Sequence, residues 1–175
     1  MIKPAILITA LAVTTSSAFA DEMRFADTHE HGQAIARITL DYDDDGVIRD
    51  HDLDVKIFGA AQSFVGFEYH PQNPIEKQMI TKLNQDVRSG NLIAINKEAG
   101  CRLDDTDFDF DTHGDHADIE IELDYECQNP ENLTSVTFNF ANMQYADQLK
   151  AQYIDNMGEA ASGVVTPKNT VFNIK

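Results

Sequence analysis

The stretch Ile119–Glu126 reads Ile-Glu-Ile-Glu-Leu-Asp-Tyr-Glu and decides the class of fold. Apolar and acidic residues alternate with a period of two, which is the pattern of a β-strand with one buried side and one solvent-facing side. Upstream, Phe108 and Phe110 alternate with aspartates in the same way. The two runs predict an acidic strand pair between Cys101 and Cys127.

The two cysteines conflict with a regular register in this strand pair. If Cys101 lay directly opposite Cys127, Asp107 would face the apolar Ile121, because a slip of one residue moves a side chain to the other face of a sheet. We therefore expect either a β-bulge in the hairpin or a disulfide between strands that are not directly paired. These are the only cysteines, so a disulfide has one possible connectivity. A thiolate metal site is the weaker alternative, because exported thiols tend to oxidise.

A second hairpin and one helix are predicted upstream of this strand pair. Residues alternate between apolar and polar over Ala34–Tyr42 and again over Leu53–Ile57, with the turn signal Asp45-Gly46 between the two runs. Asn73-Pro74 can cap and start a helix, which the spacing of apolar residues extends over about 74–89. Shorter apolar runs predict further strands, at Val136–Phe140, Leu149–Ile154 and Val171–Ile174. The predicted class is α+β, mainly antiparallel sheet with one clear helix packed on it.

The charge of the chain excludes some classes of protein. Its 175 residues include 30 acidic side chains against 13 Lys and Arg, which gives a formal net charge of -17. A nucleic-acid binder needs a basic surface for phosphate contacts, and a binder of anionic membranes needs clusters of Lys and Arg. The acids are concentrated, with seven in Asp41–Asp54 and eleven in Cys101–Cys127. This concentration favours cation attraction over a role in general solubility.

The first twenty residues are predicted to be a secretory signal. A short basic start with Lys3 precedes the apolar run Ala5–Val13, and Ser17-Ala18-Phe19-Ala20 places small residues before a cleavage point. We expect residues 1–20 to be removed and 21–175 to form a single periplasmic domain, with no later membrane span.

Histidines carry the predicted chemistry. His29 and His31 are two residues apart, so on an extended chain both imidazoles point the same way and can reach one metal ion. His113 and His116 flank Gly114-Asp115, where a tight turn could bring two imidazoles and a carboxylate together. A solvated polar turn explains the second cluster about as well. No Gly-rich phosphate loop and no G-x-S-x-G motif occurs in the sequence, and we expect no enzyme.

The loop Asp41–Asp52 offers a different metal. Its oxygen-bearing residues match the ligand spacing of a calcium loop, with Asp52 where Glu is usual. Its flanks alternate as strands, whereas an EF-hand needs helices, and an Asp-Gly hairpin turn explains the residues with fewer assumptions.

Beyond the signal, the chain resembles the family of periplasmic zinc-uptake accessory proteins often called ZrgA-like. The residues that carry the resemblance are the H-x-H-G motif at 29–32, the strand after it, Val65-Gly66-Phe67-Glu68 followed by Pro71, the helix and the two cysteines. The resemblance covers nearly all of residues 21–175. It implies a protein that binds zinc in the periplasm and assists a high-affinity zinc importer, and it implies no enzymatic activity.

The chain departs from the family pattern in two places. Family members often carry a histidine directly after the Glu of G-F-E, whereas here Tyr69 holds that place and His70 comes one later. In an extended segment His70 would share a face with Glu68. Members also often carry a long His- and Asp-rich insert between the cysteines, of which only Thr112–Asp118 is present. We therefore expect a low zinc capacity.

Residues and resemblance together predict a zinc-binding protein that captures or buffers zinc for an importer or a periplasmic zinc-binding partner. Zinc is expected ahead of copper or calcium. The candidate ligands are His29, His31, Glu68, His70, His113 and His116. Two alternatives remain open. One is an acidic envelope module with a structural or interaction role and no metal, and the other is a calcium-binding protein using the loop Asp41–Asp52.

Overall fold

A computed structural model describes residues 31–42 and 51–175, and for His51 it describes the backbone alone. Two α-helices lie in the described chain, α1 (Gln62–Val65) and α2 (Pro74–Arg88). The strands of the described chain are β1 (Gln33–Asp41), β2 (His51–Ala60), β3 (Ile93–Ile95), β4 (Cys101–His113), β5 (His116–Cys127), β6 (Ser135–Phe138), β7 (Gln148–Asp155), β8 (Ala160–Val165) and β9 (Val171–Asn173).

The strands of the described residues form two sheets. The larger has the order β4-β5-β2-β1-β7-β8, and the smaller has the order β3-β6-β9. All neighbours pair antiparallel except β1 and β7, which pair parallel. The predicted α+β class with mainly antiparallel sheet is confirmed. One face of the larger sheet is the core, where Ile38, Ile57 and Ile121 are fully buried.

The predicted hairpin of β1 and β2 is confirmed. Ile38 pairs with Val55 in its register, and Asp41 pairs with Asp52 at the end where the chain passes from β1 to β2. The turn signal Asp45-Gly46 and the centre of the calcium-type loop lie outside the described residues.

The structure resolves the register conflict between β4 and β5. Cys101 pairs directly with Cys127 and the two form a disulfide. The register then shifts between Leu103 and Asp105, so Asp104 is an extra residue in β4. This is the β-bulge that the sequence predicted as one of two solutions, and it returns every later aspartate of β4 to the acidic face.

Helix α2 begins as predicted. The Asn73 side chain accepts hydrogen bonds from the backbone N–H groups of Ile75 and Glu76, each at 3.0 Å, and so caps the helix. Leu83 and Val87 are buried. The spacing of apolar residues predicted that Ile75, in the first turn, also belongs to the packed stripe. That expectation is wrong, because Ile75 is 71% exposed and the packed face starts one turn later at Met79.

Two elements had no signal in the sequence. Helix α1 has only four residues, too short to show a helical period. Strand β8 consists of Ala-Ala-Ser-Gly-Val-Val, which does not alternate and pairs with β7 through its backbone. None of the helices in the described chain has the length and apolar character needed to cross a membrane.

Candidate metal centre

One carboxylate joins two imidazoles at the edge of the larger sheet. Glu68 Oε2 lies 2.9 Å from His31 Nε2, and Glu68 Oε1 lies 3.3 Å from His116 Nδ1. The Glu68 side chain is 19% exposed, whereas both imidazoles are about half exposed, at 53% and 55%. We call these three residues the His31–Glu68–His116 cluster. Three of the six predicted ligands therefore meet in space.

The sheet topology explains why residues so far apart in sequence meet. Strands β1 and β5 lie on either side of β2 and both run antiparallel to it. β1 and β5 therefore begin next to the end of β2. His31, just before β1, and His116, the first residue of β5, consequently lie on either side of the point where the chain leaves β2. The chain leaving β2 forms α1 and turns at Gly66, whose φ of 83° is a left-handed conformation that suits glycine. Two residues later, Glu68 lies between the two histidines.

The other candidate ligands are placed differently. His113 pairs across the hairpin with His116, and its Nε2 lies 2.8 Å from Asp111 Oδ2. His113 therefore lies beside the cluster, and its imidazole contacts the Asp111 carboxylate rather than Glu68. His29 lies outside the described residues.

His70 does not join the cluster in the described structure. Its backbone carbonyl accepts a hydrogen bond from Gln72, and its side chain is exposed. Nowhere in residues 31–42 and 51–175 does a hydrogen bond or ion pair join the His70 ring to Glu68. The expected shared face assumed an extended segment, but the chain after Gly66 is irregular and the period of two does not apply.

The cluster has the donor chemistry of a zinc site without the finished geometry. Two imidazole nitrogens and a carboxylate are a common ligand set for zinc. Ligand atoms bound tetrahedrally to zinc at about 2.0–2.1 Å are about 3.3 Å apart, close to the two contacts measured here. Each imidazole contacts a different Glu68 oxygen, however. Across the described ranges no three His, Cys, Asp or Glu side chains are already arranged to hold a metal ion.

The surroundings of the cluster are strongly negative. Strand β5, which begins at His116, turns Asp118, Glu120, Glu122, Asp124 and Glu126 toward the side opposite the core. Asp118 Oδ1 is buried and has no hydrogen-bond partner among the described residues. A buried anionic oxygen without a donor favours a nearby cation or an ordered water.

Further along this face, two carboxylates meet. Asp54 pairs with Asp124 across β2 and β5, and their side chains share a hydrogen bond. Burial raises the pKa of Asp54, and the nearby Asp52 and Asp41 raise it further. Burial also raises the pKa of Asp124, with the charge of Asp54 as the next cause. Each of these two carboxyl groups therefore holds its proton more tightly than a solvent-exposed aspartate does.

Sequence reasoning missed the groups that support the cluster. Gly32 contacts Asp147, and Gly66 contacts Tyr145, in a segment more than seventy residues downstream of either glycine. The only signal in the sequence was the pair of glycines beside candidate ligands, which hinted at a close approach but not at the segment that makes it.

Two comparisons with known proteins bear on the family of the chain. A search of curated proteins finds no match. A family model described as "ZrgA family zinc uptake protein" matches residues 28–174, a range that contains the whole His31–Glu68–His116 cluster and both cysteines. The match spans most of the chain, and the chain therefore belongs to the ZrgA family of zinc uptake proteins.

Proposed function

We propose that this protein is a periplasmic zinc-binding protein, without enzymatic activity, that captures zinc at the His31–Glu68–His116 cluster and passes it to a zinc importer or its binding protein. The observation that carries the proposal is the bridging position of Glu68 between two imidazoles. Membership in a zinc uptake family supports the choice of metal.

Zinc replaces hydrogen bonds in this proposal. The ring nitrogens that face Glu68 must offer lone pairs to the metal, so a neutral imidazole changes tautomer and a charged one releases a proton. The Glu68 carboxylate, which now accepts from both rings, rotates to share the ion. His29 or water completes the coordination. Because protons compete for the same nitrogens, zinc affinity falls on acidification, which offers one route to release.

The exposure of the imidazoles suits a carrier. A site that must hand over its metal needs ligands that a partner can reach, and both rings are about half exposed. The acidic face beside the cluster raises the local concentration of cations. The periplasmic location is supported by the predicted signal at residues 1–20 and by the Cys101–Cys127 disulfide, which persists in oxidising compartments.

Titration calorimetry tests the proposal. The full chain is expressed, the secreted protein is purified without a tag, and mass spectrometry determines whether cleavage occurred after Ala20. We expect stoichiometric zinc binding that is lost in the double variant His31→Ala/His116→Ala and weakened at least tenfold in Glu68→Gln. His70→Ala is the matched control, because it removes an exposed imidazole outside the cluster. Zinc binding unaffected by the double variant would refute this site.

The same titration separates the alternatives. A calcium response abolished by Asp43→Ala would favour the loop Asp41–Asp52. The absence of any response to zinc, copper or calcium would favour the acidic interaction module. Copper binding tighter than zinc by more than the general preference of nitrogen ligands for copper would reassign the cargo.

A further inference from the structure

The residue after His31 is held by a distant segment of the chain. The Gly32 carbonyl accepts two backbone hydrogen bonds, from the N–H of Asp147 at 2.7 Å and from that of Gln148 at 3.1 Å. Gly32 has a φ of +77°, and a Cβ at this position would lie 2.6 Å from Asp147 Oδ2. The backbone next to His31 is therefore tied to Asp147 and Gln148 in a left-handed conformation that favours glycine.

The turn that precedes Glu68 is held by the same segment. A Cβ on Gly66 would lie 2.7 Å from Tyr145 Cζ and 2.8 Å from Cε1, so the tyrosine ring lies close against the glycine backbone. Ala146, between the two contact residues, is buried at 3% exposure. Its burial anchors the segment Tyr145–Asp147 to the core.

We infer that the segment Tyr145–Asp147 positions the zinc ligands by setting the separation between His31 and Glu68. One end of the segment fixes the chain beside His31, and the other end fixes the chain two residues before Glu68. His31 and Glu68 are 37 positions apart in sequence, and these contacts give them a common support. The inference rests on the proposed zinc site for its functional meaning.

The variant Tyr145→Ala tests the inference, and Tyr145→Phe is its control because it keeps the ring and removes only the hydroxyl. We expect Tyr145→Ala to weaken zinc affinity about tenfold, as loss of an orienting group around a metal ligand does. Tyr145→Phe should bind zinc as the wild type does. Phe172→Leu, in the smaller sheet, provides a protein of reduced stability with an intact cluster, and we expect its zinc affinity to be unchanged. If Tyr145→Ala does not fold, Tyr145→Leu takes its place.

Two further measurements separate a positioning role from a general loss of stability. The absorption spectrum of the cobalt-substituted protein reports ligand geometry, and it should change in Tyr145→Ala but not in Phe172→Leu. A crystal structure of metal-free Tyr145→Ala measures the distance from His31 Nε2 to Glu68 Oε2, which is 2.9 Å with the ring present. We expect this distance to exceed hydrogen-bond range.

The outcomes for this inference and for the proposed function differ. A wild-type protein that fails to bind zinc defeats the proposed function, and the metal-free crystal structure still decides whether the segment sets the ligand separation. The inference alone is overturned if the wild type binds zinc and Tyr145→Ala binds it equally well. In that case the cobalt spectrum and the distance from His31 Nε2 to Glu68 Oε2 would also be unchanged in the variant.

Discussion

Glu68 combines two properties that exposed carboxylates rarely share. Its side chain is only 19% exposed, yet it contacts two half-exposed imidazoles, one in the turn before β1 and one at the start of β5. A partly buried carboxylate keeps a strong interaction with a cation because solvent screens it less. The exposed imidazoles then control how a cation reaches the Glu68 carboxylate. At the scale of the residue, the cluster pairs a fixed anion with two accessible nitrogen ligands.

The variant Gly32→Ala tests how tightly the chain beside His31 is held. An alanine at φ +77° costs about 1–2 kcal/mol of backbone strain, and its Cβ would clash with the Asp147 carboxylate. Gly158→Ala is the matched control, because Gly158 has a φ of +91° and nothing within 4 Å of the new Cβ. Urea unfolding should show a larger loss of stability for Gly32→Ala than for Gly158→Ala. Only the first should weaken zinc binding, and equal losses in both assays would contradict the contact.

At the scale of the element, the β4–β5 hairpin shows how one extra residue reconciles two patterns. The disulfide requires Cys101 opposite Cys127, and the burial pattern requires Phe108 opposite Ile121. These demands differ by one residue, and the bulge at Asp104 absorbs the difference. The hairpin therefore keeps its acidic face and delivers His116 to the cluster at the other end.

Two single-residue deletions test this account. Deleting Asp104 leaves a regular hairpin in which every other pair is kept, so the free energy of unfolding should change by no more than about 1 kcal/mol. Deleting Thr106 forces Asp105 into the place opposite Leu123 on the apolar face, which should cost at least about 2 kcal/mol. Chemical denaturation of both variants measures the difference. A Thr106 deletion as stable as the Asp104 deletion would show that the bulge does not set the register.

At the scale of the whole molecule, the larger sheet separates two environments. Its inner face holds the hydrophobic core, and its outer face over β4, β5 and β2 carries a dense group of carboxylates. Lys56, which pairs with Glu122, and Arg102, which pairs with Glu126, compensate only part of this charge. The field of this face extends to His116, the first residue of β5.

The pair of Asp54 and Asp124 makes stability depend on pH. Because burial and neighbouring carboxylates raise both pKa values, the folded protein holds these protons more tightly than the unfolded chain does. Their contribution is fully present below the ordinary aspartate pKa of about 3.9 and is lost as the pH rises through the raised values. The variant Asp54→Asn should therefore be more stable than the wild type at neutral pH, and the gap should close on acidification. Urea unfolding at a series of pH values measures it, with Asp115→Asn in the hairpin turn as a control. A gap independent of pH would contradict the coupling.

The acidic face should speed the capture of zinc. Attraction between a dication and this face is screened by salt, with a Debye length of about 10 Å at 0.1 M. In stopped-flow measurements we expect the association rate to fall severalfold between low and physiological salt, and the dissociation rate to change less. The double variant Asp107→Asn/Asp109→Asn, which leaves the cluster intact, should show a slower rate and a weaker salt dependence. An association rate insensitive to salt would show that the face plays no part in capture.

Local patterns predicted much of the fold. Alternation of apolar and polar residues identified β1, β2, β4 and β5, and Asn73-Pro74 located the start of α2, because these signals lie within a few residues of the elements they specify. The conflict between the cysteine positions and that alternation predicted the bulge as one of two solutions. The small residues of β8 carried no signal, since backbone pairing with β7 rather than its own side chains holds it in place.

The sequence by itself determined the inventory of the site: imidazoles and carboxylates, an acidic chain, a pair of cysteines and glycines beside candidate ligands. The tertiary structure decided which of them meet. Glu68 bridges His31 and His116 because strands on either side of β2 begin at the edge where β2 ends, and His70 is left outside because the chain bends at Gly66. Residues 37 and 48 positions apart acquire a common location only when long-range pairing sets it, and no local period in a sequence encodes that distance.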